Sequence, residues 1–231
     1  MSQADRQGKP IVFRQQVHQD ESIDGITPPI SLPALRKWFS PTPHHHHIAQ
    51  LYIAQLPLSD LPTDLQQDAP TPDALAAEPT RELPYAADVY TSSLWLGLEP
   101  TFTPWHRDPN PNLFCQLVGS KTVRLMPPAP GKQLFADVSA GRLGRLNASH
   151  AIRGLEMMQS NERKAWWDAV WGPSVPEGMQ EVVLRPRDVL FLPLGWWHSV
   201  RSAGGGIGSL NASVNWWFRW RKVARLASSS A

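Results

Sequence analysis

Short runs in which apolar and polar residues alternate, separated by turn residues, dominate the chain from Ser92 onward. A period of two is typical of antiparallel strands, and many short strands at close spacing predict a sandwich or a barrel. A dense apolar run at residues 189–193, which follows the turn residues Pro186, Arg187 and Asp188, predicts one buried strand. The pattern therefore predicts a mainly β fold with a few flanking helices.

The last predicted strand, residues 209–217, has one apolar and one polar face. The apolar face comprises Leu210, Ala212, Val214 and Trp216, and the polar face comprises Ser209, Asn211, Ser213 and Asn215. On an exposed sheet the polar face would simply contact water. Inside a barrel the same face would line a cavity.

Residues 113–118 and 121–126 are predicted to form a β-hairpin, because they flank a Gly-Ser dipeptide. Glycine at the first position of a two-residue loop suits a type II′ turn. Side chains alternate at period two along both strands, so the hairpin places Asn112 and Lys121 on the same face.

A helix is predicted within residues 157–171, because large apolar residues recur there at i+3 and i+4 spacing. These residues are Trp166, Trp167, Val170 and Trp171. The stripe favours packing over chemistry. A second, short helix is predicted at residues 32–39.

Residues 57–84 are rich in proline among small and acidic residues. Proline lacks a backbone donor and interrupts regular structure, so the segment is predicted to be a long surface loop. Residues 129–155 are predicted to be a second loop. Loops of this kind carry substrate selectivity, which leaves the substrate unidentified at this stage.

Composition predicts one globular domain at residues 50–220, after a partly helical segment at residues 1–49 and before a short tail at residues 221–231. The 42% apolar and 18% charged residues are typical of a soluble protein, and the eleven tryptophans must fill a core or line a pocket. The formal charge of +2 comes from nearly balanced counts, so contact with nucleic acid is possible but unsupported.

The single cysteine, Cys115, cannot form an internal disulfide and is predicted to be a small buried residue rather than a nucleophile. An unpaired thiol favours a reducing compartment. The chain also has no apolar run long enough to cross a membrane, and its first residues lack the apolar core of a secretory signal. We therefore expect an intracellular protein, in cytoplasm or nucleus, without membrane contact.

His106 and Asp108 are two residues apart, so on an extended segment both side chains can bind one ion. Alone this spacing is common, and a surface histidine beside a turn aspartate would explain it. His198 changes that balance, because it directly follows the predicted buried strand. Two imidazoles and one carboxylate form a facial triad, which leaves positions on Fe(II) open for a co-substrate and dioxygen. A structural zinc site normally needs more thiolates than one cysteine supplies.

The four adjacent histidines at residues 44–47 are the competing metal site. They cannot all converge on one ion without a fixed scaffold, so we interpret them as an exposed loop. The basic and aromatic residues 219–222 are explained by a short solvated tail at least as well as by an RNA contact.

A dicarboxylate co-substrate would need a cation and hydroxyl groups beside the metal. Lys121 is the natural cation, since the predicted hairpin directs it to the same side as Asn112. A solvated lysine on an edge strand is the ordinary alternative. Thr103 and Tyr52 can add hydroxyls, although ordinary packing would explain each of them.

Three segments together resemble the JmjC and cupin-like hydroxylases, and factor inhibiting hypoxia-inducible factor in particular. The first is Thr103-Pro104-Trp105-His106-Arg107-Asp108, followed by Asn112, Phe114, Gln116, Gly119, Lys121 and Pro127-Pro128. The others are Asp188-Val189-Leu190-Phe191-Leu192-Pro193 with Trp196-Trp197-His198, and Val214-Asn215-Trp216-Trp217. Upstream, Leu51-Tyr52-Ile53-Ala54-Gln55 is similar to the family's tyrosine-bearing segment.

The resemblance implies a double-stranded β-helix, also called a cupin or jelly-roll barrel, that holds Fe(II) through His106, Asp108 and His198. It implies further that 2-oxoglutarate is the co-substrate, and it assigns that co-substrate Tyr52, Thr103 and Lys121 at the distal carboxylate and Asn112 and Asn215 near the metal-bound end. Arg187 departs from the pattern, since the family usually has glycine at that turn.

The implied activity is that of a dioxygenase that hydroxylates an unidentified substrate, with a protein side chain favoured. N-methyl-lysine demethylation uses the same chemistry on a different carbon and stays open. A cupin-like binding protein without turnover is the alternative outside enzymology.

Overall fold

The computed structural model describes residues 10–13, 52–80, 84–142 and 161–223 of the 231-residue chain. The strands in these ranges are β1 (Ile11–Phe13), β2 (Tyr52–Pro57), β3 (Tyr85–Leu98), β4 (Phe102–Arg107), β5 (Asn112–Val118), β6 (Ser120–Met126), β7 (Gln180–Leu184), β8 (Val189–Leu192), β9 (Trp197–Ala203) and β10 (Leu210–Lys222). The helices are α1 (Thr63–Gln67), α2 (Asp73–Ala76), α3 (Pro128–Arg142) and α4 (Asn161–Trp171). The helix predicted at residues 32–39 and the histidines at residues 44–47 lie outside the described ranges.

Within the described residues the strands form two antiparallel sheets. The major sheet has the order β1-β8-β5-β10-β3-β2, and the minor sheet has the order β4-β9-β6-β7. Strands that are adjacent in space are mostly distant in sequence, which is the jelly-roll arrangement of a double-stranded β-helix. The predicted fold class is therefore confirmed.

Apolar side chains from both sheets meet between them and form the inner core of the barrel. This cluster consists of Phe114, Val123, Leu125, Leu184, Leu190, Leu192, Trp196 and Val200. The alternation that puts these residues inside also directs the polar residues of β10 inward, where Asn211, Ser213 and Asn215 are buried. The polar face is thus directed into the barrel, and Asn215 lines the cavity there.

The predicted hairpin of residues 113–118 and 121–126 is wrong. β5 pairs with β8 and β10 in the major sheet, whereas β6 pairs with β7 and β9 in the minor sheet. Gly119 lies at the corner between them with φ +68°, and a Cβ there would approach the Asn211 side chain to 2.8 Å. Glycine is thus required at a change of sheet rather than at a hairpin turn. Asn112 and Lys121 therefore line the same cavity from opposite sheets.

The proline-rich segment predicted as a long loop at residues 57–84 contains short helices between residues 58 and 76, and residues 81–83 lie outside the described ranges. A 3-10 turn at Leu58–Asp60 is followed by α1 and α2, and each helix is preceded by a proline at its N-cap. Prolines are tolerated there because the first backbone N–H groups of a helix have no intrahelical partner. The segment packs on the outer face of the major sheet, through the buried residues Leu58, Leu61, Leu65 and Leu75.

The structure confirms the helix predicted near residue 171, from Asn161 to Trp171. Trp166 and Trp171 are buried with Phe102 and Trp197 on the outer face of the minor sheet. The apolar stripe is therefore packing, as predicted. The second loop prediction, for residues 129–155, is wrong up to residue 142, because α3 begins at Pro128 and ends at Arg142.

The close approach of α3 to the minor sheet depends on Gly131. A Cβ at this position would lie 2.5 Å from the Trp197 ring, and the Gly131 carbonyl accepts a hydrogen bond from Trp105 Nε1 at 3.2 Å. The contact fixes α3 over the strands that carry the two histidines of the predicted triad.

Residues 219–222 are part of a strand rather than a solvated tail. β10 pairs with β3 along its whole length, up to the pair of Lys222 with Tyr85. The N-terminal segment contributes β1, which pairs with β8. The domain boundaries themselves stay predictions. None of the helices in the described ranges is long and apolar enough to cross a membrane.

Candidate active site

The predicted metal triad comes together on the minor sheet. His106 in β4 lies opposite His198 in β9 in the strand register, and Asp108 follows β4 directly. One ligand atom from each residue lies within 4.8 Å of those of the other two, and all three residues are buried. The Nε2 atoms of both histidines lie 3.8 Å from the Asp108 carboxylate, each nearest to a different oxygen.

Backbone carbonyls orient both imidazole rings. His106 Nδ1 lies 2.8 Å from the carbonyl oxygen of Pro104, and His198 Nδ1 lies 3.4 Å from that of Trp196. When Nδ1 donates to these carbonyls, the Nε2 lone pairs are left for a metal. Burial, together with the nearby His198, holds the pKa of His106 well below its usual range. The ring is therefore neutral, which is the form that binds metal.

Asp108 is held by an amide on the opposite sheet. Asn112 Nδ2, in β5, donates a hydrogen bond of 2.7 Å to Asp108 Oδ2. The triad thus offers two imidazole nitrogens and one carboxylate, a set that suits Fe(II) and leaves coordination positions for further ligands.

Lys121 lies in the same cavity as the triad and is only 3% exposed. Its ammonium donates a hydrogen bond of 2.6 Å to Ser213 Oγ and lies 5.4 Å from the centre of the Phe114 ring. Among the residues that the structure describes, no carboxylate forms a salt bridge with it. Burial lowers the pKa of Lys121 to about 7. A buried cation whose charge no salt bridge compensates is expected to bind an anion.

Tyr52 and Thr103 join the two sheets at the same cavity. Tyr52 OH, in β2, lies 3.3 Å from Thr103 Oγ1, in β4. Desolvation of the phenol raises the pKa of Tyr52 to about 12, although the residue as a whole keeps intermediate exposure. The hydroxyl therefore stays protonated and can donate to an anion.

Two buried amide atoms of cavity residues have no hydrogen-bond partner among the described residues, namely Asn112 Oδ1 and Asn215 Nδ2. An unsatisfied buried polar group typically destabilises a protein by about 1–3 kcal/mol. Such groups are expected where a bound molecule completes the hydrogen bonding. Together with Lys121, they make the cavity fit a small dicarboxylate that reaches from the metal to the ammonium.

All eight residues proposed from the sequence line one narrow cavity. They are Tyr52, Thr103, His106, Asp108, Asn112, Lys121, His198 and Asn215. The sequence reasoning missed Trp95 and gave no role to Ser213. Trp95 Nε1 donates to Asn215 Oδ1 at 2.7 Å, and so fixes the orientation of that amide. Ser213 belongs to the alternating polar face of β10, which was the available signal.

A second, wider cleft reaches the triad from the protein surface. Its empty volume is about 1220 Å³, and it shares His106, Asp108 and Trp217 with the narrow cavity. The remaining lining residues are Gln55, Tyr90, Thr91, Arg107, Pro109, Leu194 and Gly195. The two spaces meet at the triad, so a substrate in the cleft and a co-substrate in the cavity can contact the same ion.

The turn before β8 keeps the backbone shape that glycine would give. Arg187 has φ +79°, in the left-handed region, and its N–H donates to the Gln116 carbonyl at 2.8 Å. Asp188 accepts a hydrogen bond of 2.8 Å from the backbone N–H of Arg185. The departure from glycine at this position leaves the turn, and hence the start of β8, in place.

Comparison with known proteins agrees with the barrel fold and the metal triad described above. A family model described as a cupin-like domain matches residues 30–222. Over 168 residues the chain is 32% identical to "Lysine-specific demethylase 8" of Danio rerio, a match that covers 72% of this chain and 36% of that protein. Over 182 residues it is 27% identical to "Lysine-specific demethylase JMJ30" of Arabidopsis thaliana, with 77% and 35% covered.

A human relative carries a different name. The chain is 25% identical over 183 residues to "Bifunctional peptidase and (3S)-lysyl hydroxylase JMJD7" of Homo sapiens, a match that covers 74% of this chain and 54% of that protein. The chain spans about a third of the length of the two demethylases. The particular likeness to factor inhibiting hypoxia-inducible factor stays a prediction. With the family match, the jelly-roll fold and the His-Asp-His triad together, the chain belongs to the cupin-like JmjC family of Fe(II)- and 2-oxoglutarate-dependent oxygenases.

Proposed function

We propose that this chain is an Fe(II)- and 2-oxoglutarate-dependent dioxygenase that hydroxylates a carbon of its substrate, with a protein side chain favoured. One observation carries the proposal: the buried ammonium of Lys121, which has no salt-bridge partner in the described ranges, shares a cavity with the His-Asp-His triad. A metal site without co-substrate chemistry would have no use for a desolvated cation beside it.

In this proposal His106, Asp108 and His198 hold the iron. Iron and 2-oxoglutarate together supply a two-electron oxidation by dioxygen, in which 2-oxoglutarate leaves as succinate and carbon dioxide. The protein orients the ligands: the Pro104 and Trp196 carbonyls fix the imidazole rings, and hydrogen bonds of this kind raise the metal affinity of histidine ligands.

The rest of the cavity orients the co-substrate. Lys121, Tyr52 and Thr103 bind its distal carboxylate, and all three side chains line the cavity and carry donors. Asn112 and Asn215 bind the end near the metal, where their unpaired amide atoms gain partners. Trp95, Phe114, Val200 and Trp217 form the apolar lining and exclude water from the reacting groups.

N-methyl-lysine demethylation is the second candidate, because the Danio rerio and Arabidopsis thaliana relatives are both named lysine-specific demethylases. The two reactions differ in which carbon is oxidised, and only demethylation releases formaldehyde. A binding protein without turnover is the third candidate, which the retained triad and Lys121 disfavour.

The unpaired Cys115 supports placement of the protein inside the cell.

An anaerobic titration with Fe(II) and 2-oxoglutarate, followed by optical absorption, tests the proposal. We expect a metal-to-ligand charge-transfer band that is absent in His106→Ala and strongly weakened in Lys121→Met. Admission of dioxygen should then produce succinate. A protein that develops no band with both components, or a band unaffected by His106→Ala, would refute the assignment. A band without any succinate would favour the binding protein.

A further inference from the structure

The wide cleft carries positive charge without a compensating carboxylate of its own. Of the described residues that line it, Asp108 is the sole carboxylate, and that group belongs to the metal triad. Arg107 is exposed in the cleft, with its guanidinium 5.8 Å from the centre of the Trp197 ring. In the part of the chain that the structure describes, no carboxylate forms a salt bridge with Arg107.

The ends of β3 and β10 form a two-stranded ribbon, residues 85–89 and 218–222, which carries further basic residues beyond the last pair of β5 with β10. β5 stops pairing with β10 at Trp217, whereas β10 continues to pair with β3 up to Lys222. Alternation at period two puts Arg219 and Arg221 on the same face as Trp217, which lines the cleft. The exposed face of the ribbon is therefore continuous with the cleft wall.

A β-bulge at the start of this ribbon places Tyr90 and Thr91 in the wall of the cleft. The register between β10 and β3 shifts between Trp217 and Phe218, opposite Tyr90, and Tyr90 and Thr91 both line the cleft as a result. Arg219 stacks on Tyr90, with its guanidinium 4.8 Å from the ring centre, and is exposed. Its position over the ring leaves its N–H groups available to an incoming anion.

Charge pairing distinguishes the two outer arginines. Arg221 forms a salt bridge of 2.8 Å with Asp88, so its charge is already compensated. Arg219 has no such partner among the residues that the structure describes, and neither has Arg107. Asp88 lies opposite Arg219 in the strand register, but its salt bridge is made with Arg221. Arg107 lines the cleft and Arg219 stacks on Tyr90, which lines it too, so two guanidinium groups without a salt bridge lie at this cleft.

We propose that the cleft recognises an acidic peptide segment, whose carboxylates pair with Arg107 and Arg219 while a neighbouring uncharged side chain reaches the metal. The inference rests on the proposed function and names its substrate class. A methylated lysine would bring a cation to a cleft wall that carries Arg107, with Arg219 beside it on Tyr90, and the described lining offers no carboxylate other than the metal ligand Asp108 to receive it. The inference therefore disfavours demethylation.

Nucleic acid is the other polyanion that two arginines can attract, but the described lining favours a peptide. Guanidinium groups pair equally well with carboxylates and phosphates, but the cleft wall adds the aliphatic side chain of Leu194, which is 60% exposed and suits an apolar peptide side chain. Of the two aromatic residues Tyr90 and Trp217 in the described lining, Tyr90 is covered by Arg219 on one face and Trp217 is buried, so neither offers an open ring for base stacking.

Binding of fluorescein-labelled peptides to the full chain, measured by fluorescence anisotropy at low ionic strength, tests the inference without turnover. The probes are flexible Gly-Ser peptides with evenly spaced Glu, Gln or Lys residues, and a single-stranded oligothymidylate of similar length. We expect the Glu peptide to bind about tenfold or more tightly than the Gln and Lys peptides. The doubly substituted Arg107→Glu, Arg219→Glu protein should lose this preference.

Arg185→Glu is the matched control, because it reverses one exposed charge at the β7–β8 turn, beside the Gln116 end of β5 and away from the triad. It should bind the Glu peptide like the parent protein. Arg107 lies between two metal ligands, so Arg219→Glu alone is measured as well and should weaken binding severalfold. Co(II) absorption spectra then check that each variant retains the metal site.

Equal binding of all peptides, tighter binding of the Lys peptide, or insensitivity to the arginine substitutions would overturn the inference. Tighter binding of the oligothymidylate through the same arginines would overturn it in favour of nucleic acid. None of these results affects the charge-transfer band with Fe(II) and 2-oxoglutarate, so failure of this inference is distinguishable from failure of the proposed function.

Discussion

The ammonium group of Lys121 donates a hydrogen bond of 2.6 Å to the hydroxyl of Ser213, and this bond crosses from the minor sheet to the major sheet. A hydroxyl satisfies one N–H donor but does not compensate the charge. The protein therefore keeps a desolvated cation in its interior, at a position where an aliphatic residue would give a more stable fold. Such a group is expected to be retained for ligand binding.

Lys121→Met should raise the stability of the ligand-free protein and abolish co-substrate binding. Below pH 7 the buried ammonium destabilises the fold, so we expect a gain in the free energy of unfolding of about 1–2 kcal/mol after allowance for the unpaired Ser213. The pKa of Lys121 in the fold, about 7, lies below its ordinary value of 10.5, so the penalty declines as pH rises between them. Chemical denaturation at pH about 7 and about 9 measures the difference in the free energy of unfolding between the variant and the parent protein. A variant less stable than the parent at both pH values would contradict it.

The affinity for 2-oxoglutarate should fall above pH 7. At higher pH the free protein holds Lys121 neutral, whereas the dicarboxylate complex needs the ammonium form, so binding must take up a proton. The affinity then falls by about tenfold per pH unit until the pKa of the complex is reached. Calorimetry in two buffers of different ionisation enthalpy measures the uptake directly. Binding without proton uptake above pH 8 would contradict a low pKa for Lys121.

Asn112→Ala should weaken metal binding without abolishing it. The Asn112 amide donates a hydrogen bond of 2.7 Å to Asp108 Oδ2. Loss of a hydrogen-bond partner of a metal ligand typically lowers the metal affinity by about 10–100-fold. His198→Ala removes a ligand and should lower the affinity further. Titration with Co(II), followed by its absorption, compares the two variants. Asn110→Ala serves as the control, because Asn110 Nδ2 donates to Tyr90 OH outside the triad. Equal affinities for Asn112→Ala and the parent would exclude this role.

Tyr52→Phe should weaken 2-oxoglutarate binding by roughly fivefold to tenfold, the effect of about 1 kcal/mol for one hydrogen bond. The phenol lies 3.3 Å from Thr103 Oγ1 and stays protonated at all working pH values, because burial raises its pKa to about 12. Thr103→Val and the combined Tyr52→Phe, Thr103→Val variant complete a double-mutant cycle. Coupling between the two hydroxyls should appear as a less than additive loss in the double variant. Full additivity would mean that the hydroxyls bind the carboxylate independently.

Two adjacent tryptophans of α4 should differ sharply in their effect on stability. Trp166 is fully buried under α3, whereas Trp167 is 39% exposed. We expect Trp166→Ala to lower the free energy of unfolding by about 3–5 kcal/mol, because it leaves a large cavity. Trp167→Ala should cost much less, with the remaining loss due to its contact with Phe102. Urea denaturation compares the pair, and similar losses would show that α4 is not anchored through Trp166.

Sequence patterns predicted the parts of this site that depend on alternation along one strand. His106 and Asp108 share a face because they are two residues apart, and the inward polar face of β10 follows from its period of two. These relationships are local. They hold whichever strands lie beside β4 and β10, so the sequence is sufficient to predict them.

The errors arose where pairing partners decide the outcome. A glycine with positive φ suits a hairpin turn and a corner between two sheets equally, so Gly119 could not distinguish them. Lys121 lines the cavity as predicted, but from the minor sheet and not as part of a hairpin with β5. Proline interrupts the middle of a helix, but Pro62 and Pro72 stand at helix N-caps, where they are tolerated, so proline content alone does not predict a loop.

Tyr52 illustrates what no local pattern can supply. Its partner Thr103 is 51 residues away and belongs to the other sheet. Trp95 and Asn215 are separated by 120 residues. Contacts of this kind depend on the final packing of the two sheets, and only the resemblance to known relatives indicated a role for Tyr52 in advance.

Three polar contacts within the cavity each join the major sheet to the minor sheet: Tyr52 to Thr103, Asn112 to Asp108, and Ser213 to Lys121. A dicarboxylate that bound the metal triad at one end and Lys121 at the other would add further bonds between the same two sheets. While bound, it would hold the two halves of the barrel together. Loading should then slow amide hydrogen exchange on the facing strands β5, β6 and β10 together, while β7, which pairs with β6 at the edge of its sheet, changes less.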